Sequence, residues 1–323
     1  MKVFLCTIFA LMAFAFNSIL CRLALRGEEA DAAGFTAVRL VSGAVALVVI
    51  SYFCRSPHVS KGVTSSLRVS TLLTRRPMHS EEGVTSNVDG NALAHAQASA
   101  LGGSWPSAFF LFAYAICFSF AYLGLTAGTG ALILFSSVQM TMIAVAIFRG
   151  ERPSALEWSG LAVALAGLIY LVLPGLASPP LNSSLLMAAA GASWGFYTLR
   201  GKSGNDPLGD TTGNFIRSVP MIAIAAVPFL SKLEMSGRGL MLAVLSGAVT
   251  SGVGYTVWYA ALKFHTSTRA AVLQLAVPVI AAAAGVLLLD ETATVRLAIA
   301  AALILGGIAL TISGRKGVSV ART

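Results

Sequence analysis

Apolar residues in this chain do not alternate with polar ones; they run together in stretches about as long as a bilayer is thick. A helix crossing the hydrocarbon layer needs about 20 such residues. Ten stretches fit, at about 3–25, 34–54, 106–126, 129–148, 156–173, 183–200, 211–230, 238–262, 268–288 and 294–313. Short polar, Gly or Pro breaks separate most of them: a glycine-rich turn at 124–130, Pro174 with Gly175, and Pro179 with Pro180. One island departs from the pattern. Residues 56–104 are rich in Ser, Thr and Gly, weakly periodic and slightly basic, and cannot bury enough surface to offset their ordering entropy. They read as a disordered cytoplasmic insert. The pattern predicts an all-α integral membrane fold of ten transmembrane helices.

Composition supports that class. The 323 residues are 56% hydrophobic and 11% charged, against about 25% charged in soluble domains. The net charge of +9 is not a nucleic-acid face, because the basic residues sit at the ends of apolar runs. With the N-terminus cytoplasmic, 15 of the 22 Lys and Arg fall inside and 5 outside, while Arg39 and Arg217 lie within spans. The positive-inside rule then predicts an inner-membrane protein with both termini cytoplasmic. The four cysteines (Cys6, Cys21, Cys54, Cys117) lie in or beside apolar runs without metal-ligand spacing, so neither a metal nor a cofactor is expected. The N-terminal run resembles a signal peptide, but it continues to Cys21, long enough to stay as a first span.

The chain also resembles itself. A shift of 178 places Arg22 on Arg200 and Arg39 on Arg217; a shift of 137 places Tyr122 on Tyr259 and Phe118 on Tyr255. A shift of 140 places Ala131 on Ala271, Glu151 on Glu291, Leu165 on Leu305 and Gly167 on Gly307. The drop in the shift falls where the polar island sits. Two five-helix halves, 1–175 and 176–323, are thus predicted, with opposite orientation because five is odd. Inverted repeats of this kind are a recurring transporter architecture with the solute site at their interface.

IFRGERPS at 147–154 closes the fourth helix of the first half, and LLDET at 288–292, preceded by QLAVP at 274–278, closes that of the second. With these motifs and the repeat in view, the chain is similar to the EamA family of the drug/metabolite transporter superfamily, whose signature at the end of the fourth helix they resemble. ASWGF at 192–196 resembles the usual opening of the second half. Phe16 and Asn17 depart from the pattern at the place corresponding to Trp194 and Gly195, and the polar insert is a second departure. The resemblance implies export or exchange of small metabolites, amino-acid-like or related, with lipid and solute as partners and no nucleic acid.

Individual residues carry two readings each. Arg39 and Arg217 occupy matching places, and a charge at membrane depth is costly unless it finds water or a partner. Each either snorkels to the interface or attracts an anionic or zwitterionic solute. Phe110, Tyr114, Phe118 and Tyr122 form an every-fourth stripe; Tyr255, Trp258 and Tyr259 form another, and Trp194 shares a face with Tyr197. Any one reads as packing, and the symmetric set as a cavity lining. The amides Asn17, Gln139, Asn214 and Gln274 need partners from helices, water or solute, and all but Asn214 join the predicted substrate site. Glu151 and Glu291 read as structural, by pairing or capping. All 13 acids and all 4 histidines lie outside the middle of the spans, which favours uniport, facilitated efflux or exchange over obligatory proton coupling. It also removes the clustered acids that a membrane enzyme needs. A non-transporting scaffold working through the polar loop is the remaining alternative.

Overall fold

The computed structural model describes residues 2–55, 102–148, 150, 154–173, 178–202, 204, 206–265, 273–274 and 276–314. Among them the only β pairing is an isolated bridge, Ala30 to Met235. The helices are α1 (Lys2–Arg26), α2 (Ala32–Arg55), α3 (Trp105–Ala121), α4 (Ala127–Phe148), α5 (Ala155–Val172), α6 (Leu181–Gly201) and α7 (Pro207–Ala226). They continue with α8 (Gly237–Leu262), α9 (Ala276–Leu289) and α10 (Val295–Gly314). Five of them, α1, α2, α4, α7 and α8, are long and apolar enough to cross a membrane. Large apolar side chains cover the outside, with Ile224, Leu287 and Val295 about three-quarters exposed at 74%, 78% and 75%. That is a surface for lipid, since soluble monomers rarely expose such patches.

Local chemistry sets the boundaries. Ser154 and Glu157 form a reciprocal capping box that starts α5, and Ser104 and Ser236 cap α3 and α8. Helix α7 begins at Pro207, four residues before the apolar run, because Asp206 caps it by accepting from Gly209 N at 3.0 Å. It ends at Ala226 and passes into a 3₁₀ segment, Val227–Lys232. The polar insert is shorter than expected at its C-terminal edge. Residues 102–104 are pinned to α7: Gly103 N donates to Asp210 Oδ1 and Ser104 N to Asn214 Oδ1, both at 2.9 Å. Residues 56–101 lie outside the described residues, as does Glu151.

Helices in lipid gain little from the hydrophobic effect between themselves, so small residues and polar links decide which ones meet. Helices α5 and α10 cross through Gly160, Ala164, Gly167 and Gly307; an added methyl at Gly160 would lie 2.6 Å from Gly307 O. Helix α2 packs on α7 and α8, α3 on α6 and α7, α4 on α6 and α9, and α1 on α8 and α9. At one end of the bundle Asp290 takes a left-handed conformation (φ 50°) that turns the chain after α9. Glu291 then reaches the start of α4, accepting from Ala127 N at 2.8 and 3.1 Å, and pairs with Arg22 of α1 at 3.3 Å. It both pairs and caps.

Candidate functional site

The centre of the bundle holds a polar cluster inside an aromatic shell. Arg39, eighth residue of α2, is 1% exposed. It does not snorkel: the guanidinium is held inward by three hydroxyls. Its Nε donates to Ser251 Oγ at 3.1 Å, and its Nη2 donates to Tyr114 at 3.1 Å and Tyr255 at 2.9 Å. Its carbon centre lies 4.9 Å from the Phe118 ring centroid and 5.2 Å from that of Tyr114. Nη1 has no hydrogen-bond partner among the described residues. Neither described salt bridge involves Arg39.

The middle of α8 makes this possible. Residues Ser246–Val253 are π-helical, a departure that often marks functional positions. In this register Ser246 and Thr250 donate to Asn17 Oδ1 at 2.6 and 3.1 Å, while Ser251 turns to Arg39. Gly247 lets α8 approach α2 so closely that an added methyl would strike Arg39 O. Asn17 Nδ2 in turn donates to Tyr114 at 3.2 Å, tying α1 to α3.

Beside the cluster lies a cavity of ≈ 10 Å³, lined by Phe14, Asn17, Tyr114, Phe118, Leu134, Phe135, Trp194 and Tyr255. That is room for about one water. Phe14 meets Trp194, Tyr255 and Trp258 edge-on at 5.6–5.8 Å. Trp194 also contacts Tyr114 at 5.0 Å and Tyr255 at 4.6 Å. A larger groove of ≈ 200 Å³ between α4, α9 and α10, among Leu132, Val279, Ala282 and Leu297, is almost wholly apolar and lacks groups to orient a polar solute.

Of the residues singled out from sequence, Asn17, Arg39, Trp194 and Tyr255 come together here. Tyr197, Trp258 and Tyr259 are buried next to them: Tyr197 lies 5.4 Å from Trp194 and 5.9 Å from Tyr259. Tyr122 does not reach the cavity; it packs on Phe118 at 4.8 Å, and its carbonyl accepts from Arg22. Gln139 and Gln274 are buried but do not line it. Arg217 parts company with Arg39: its Nη1 donates to the carbonyls of Gly102 and Gly213 at 2.9 and 3.0 Å, fastening the entry to α3. Sequence reasoning passed over Phe14 and Ser251 and left Tyr114 and Phe118 as stripe members only. The every-fourth spacing did carry the last two; nothing local marks Phe14.

Residues 181–313 match the model of the EamA-like transporter family. An uncharacterized protein of Pseudomonas aeruginosa is 42% identical over 98% of this chain and 96% of its own length. A probable amino-acid metabolite efflux pump of Escherichia coli is 29% identical over 64% of this chain and 75% of its own. One crystal structure superposes with a TM-score of 0.56 at 18% identity, covering 96% of this chain and 97% of that one, and so shares its fold. This multi-pass membrane chain belongs to the EamA-like transporter family.

Proposed function

We propose that the protein exports or exchanges small polar metabolites by alternating access between two inverted five-helix repeats, 1–175 and 176–323. The observation that carries this reading is that the central site is built across both: Asn17, Arg39 and Tyr114 come from the first, Trp194, Ser251 and Tyr255 from the second. A site split in this way closes or opens when the halves rock.

Two further features support the repeat. Contacts occur in matching pairs: α1 on α8 as α3 on α6, α1 on α9 as α4 on α6, and α2 on α8 as α3 on α7. At the shift of 140, Gly150 (φ 88°) and Asp290 (φ 50°) are both left-handed. Ser154 and Thr294 both accept from the third residue of the next helix. The excess of Lys and Arg on one side supports cytoplasmic termini and an inner-membrane location. The name of the Escherichia coli relative, a probable amino-acid metabolite efflux pump, favours an amino-acid-like solute.

The test is flux in proteoliposomes, loaded in turn with amino acids, their oxo acids, nucleosides and phosphorylated metabolites. Efflux of at least one class above empty vesicles is expected. A folded, reconstituted chain that moves none of them would remove the transporter reading.

A further inference from the structure

We infer that the central site takes the carboxylate of a small organic mono-anion and discriminates against the matching zwitterionic amino acid. This rests on the transporter reading and narrows its solute. The argument is a census of donors and acceptors. Arginine has five N–H donors and no acceptor; three of these bonds are made, and Nη1 has no partner among the described residues. Tyr114 accepts from Arg39 and from Asn17, which fills both of its lone pairs, and shares a hydroxyl–hydroxyl bond with Tyr255 at 3.3 Å. Trp258 Nε1, one turn along α8 from Tyr255 and edge-on to Phe14, is a further buried donor without a partner among the described residues. The two unpartnered nitrogens, Arg39 Nη1 and Trp258 Nε1, can only donate, while the neighbouring Tyr259 hydroxyl, also without a partner among the described residues, can do either. The partner that completes the cluster supplies lone pairs, and a carboxylate supplies about four such positions.

The same census disfavours an ammonium group. The amide oxygen of Asn17 is already taken by Ser246 and Thr250. Among the described residues no carboxylate lines the cavity, and the guanidinium beside it repels a second cation. The rings that line the cavity remain to receive an ammonium, and two of them, Tyr114 and Phe118, already face the Arg39 guanidinium. A deaminated acid therefore keeps the favourable contacts and sheds the unfavourable one.

An anionic solute also accounts for the lack of an acid in the middle of the spans. A potential negative inside expels a mono-anion by itself, to a concentration ratio of about fifty-fold per 100 mV. No coupling ion is required.

The experiment compares matched pairs on the purified full chain: pyruvate with alanine, 2-oxoisocaproate with leucine, phenylpyruvate with phenylalanine, and inorganic phosphate alone. Ligand-induced shifts in melting temperature give the affinities. At least one oxo acid is expected to bind tenfold or more tightly than its amino acid, with binding weakened at least tenfold in Arg39→Gln and partly restored in Arg39→Lys. Imposing a potassium diffusion potential, negative inside, should accelerate efflux of that oxo acid from vesicles. Amino acids binding as well as their oxo acids would overturn the inference, and so would a flat response to every probe. If Arg39→Gln fails to fold, the matched pairs on the unaltered chain still decide. Amino-acid flux without oxo-acid preference sinks this inference alone, whereas tight oxo-acid binding without any flux sinks the transporter reading and leaves the site standing.

Discussion

Replacing Glu291 tests whether the end of the bundle near α4 is held by one carboxylate. Both of its oxygens lie within 3.1 Å of Ala127 N, and the Arg22 pair is mostly buried, with side chains 16% and 7% exposed. Glu291→Ala removes a hydrogen bond to a charged acceptor at a helix N-terminus, about 1.5–3 kcal/mol. The ion pair, discounted for its remaining exposure and because Arg22 keeps Tyr122 O at 2.9 Å, adds about 1 kcal/mol. The expected loss is thus about 2.5–4 kcal/mol, a factor of roughly 100 or more in the folded-to-unfolded ratio. Glu291→Gln keeps an oxygen for Ala127 N and should lose about 2 kcal/mol. Equilibrium unfolding in mixed micelles, followed by tryptophan fluorescence, reads both. A double-mutant cycle with Arg22→Met should give a coupling of about 1 kcal/mol. A loss below about 0.5 kcal/mol for Glu291→Ala, or an additive cycle, would refute the reasoning.

Two other substitutions probe the centre. Arg39→Met removes a buried cation that has no carboxylate partner among the described residues, so the unfolding free energy should hold or rise by about 1–2 kcal/mol while ligand response disappears; a fall of more than about 2 kcal/mol would make the guanidinium a structural cross-link. Gly247→Ala puts a methyl against Arg39 O and Ser42 Oγ and should cost about 1–3 kcal/mol by forcing α2 from α8. Gly306→Ala, with nothing within 4 Å of the added carbon, should be neutral or gain up to about 1 kcal/mol. Equal responses from the two glycines, measured by the same unfolding assay, would remove the close-approach argument.

Element boundaries show what kind of information a sequence carries. Apolar runs located the helices to within a few residues in most cases, because spanning length and hydropathy are local properties. The start of α7 was missed where a polar cap, Asp206 with Pro207, mattered more than hydropathy. The role of Glu291 as pair and cap was readable from its place at a helix end.

What the sequence alone determined was the membrane class, the runs that become helices and the residue types available for a site. Each depends on neighbours a few positions apart. Only the tertiary structure separated Arg39 from Arg217, which the repeat made equivalent. One is enclosed by Tyr114, Ser251 and Tyr255; the other binds the backbone of residues 102 and 213. It likewise drew Phe14 into the cavity and turned Ser251 inward through the π-helical register of α8. The physical reason is that burial of a charge depends on which helices close around it. Those contacts are made by residues 75 to 216 positions away in the chain, beyond the reach of any local pattern.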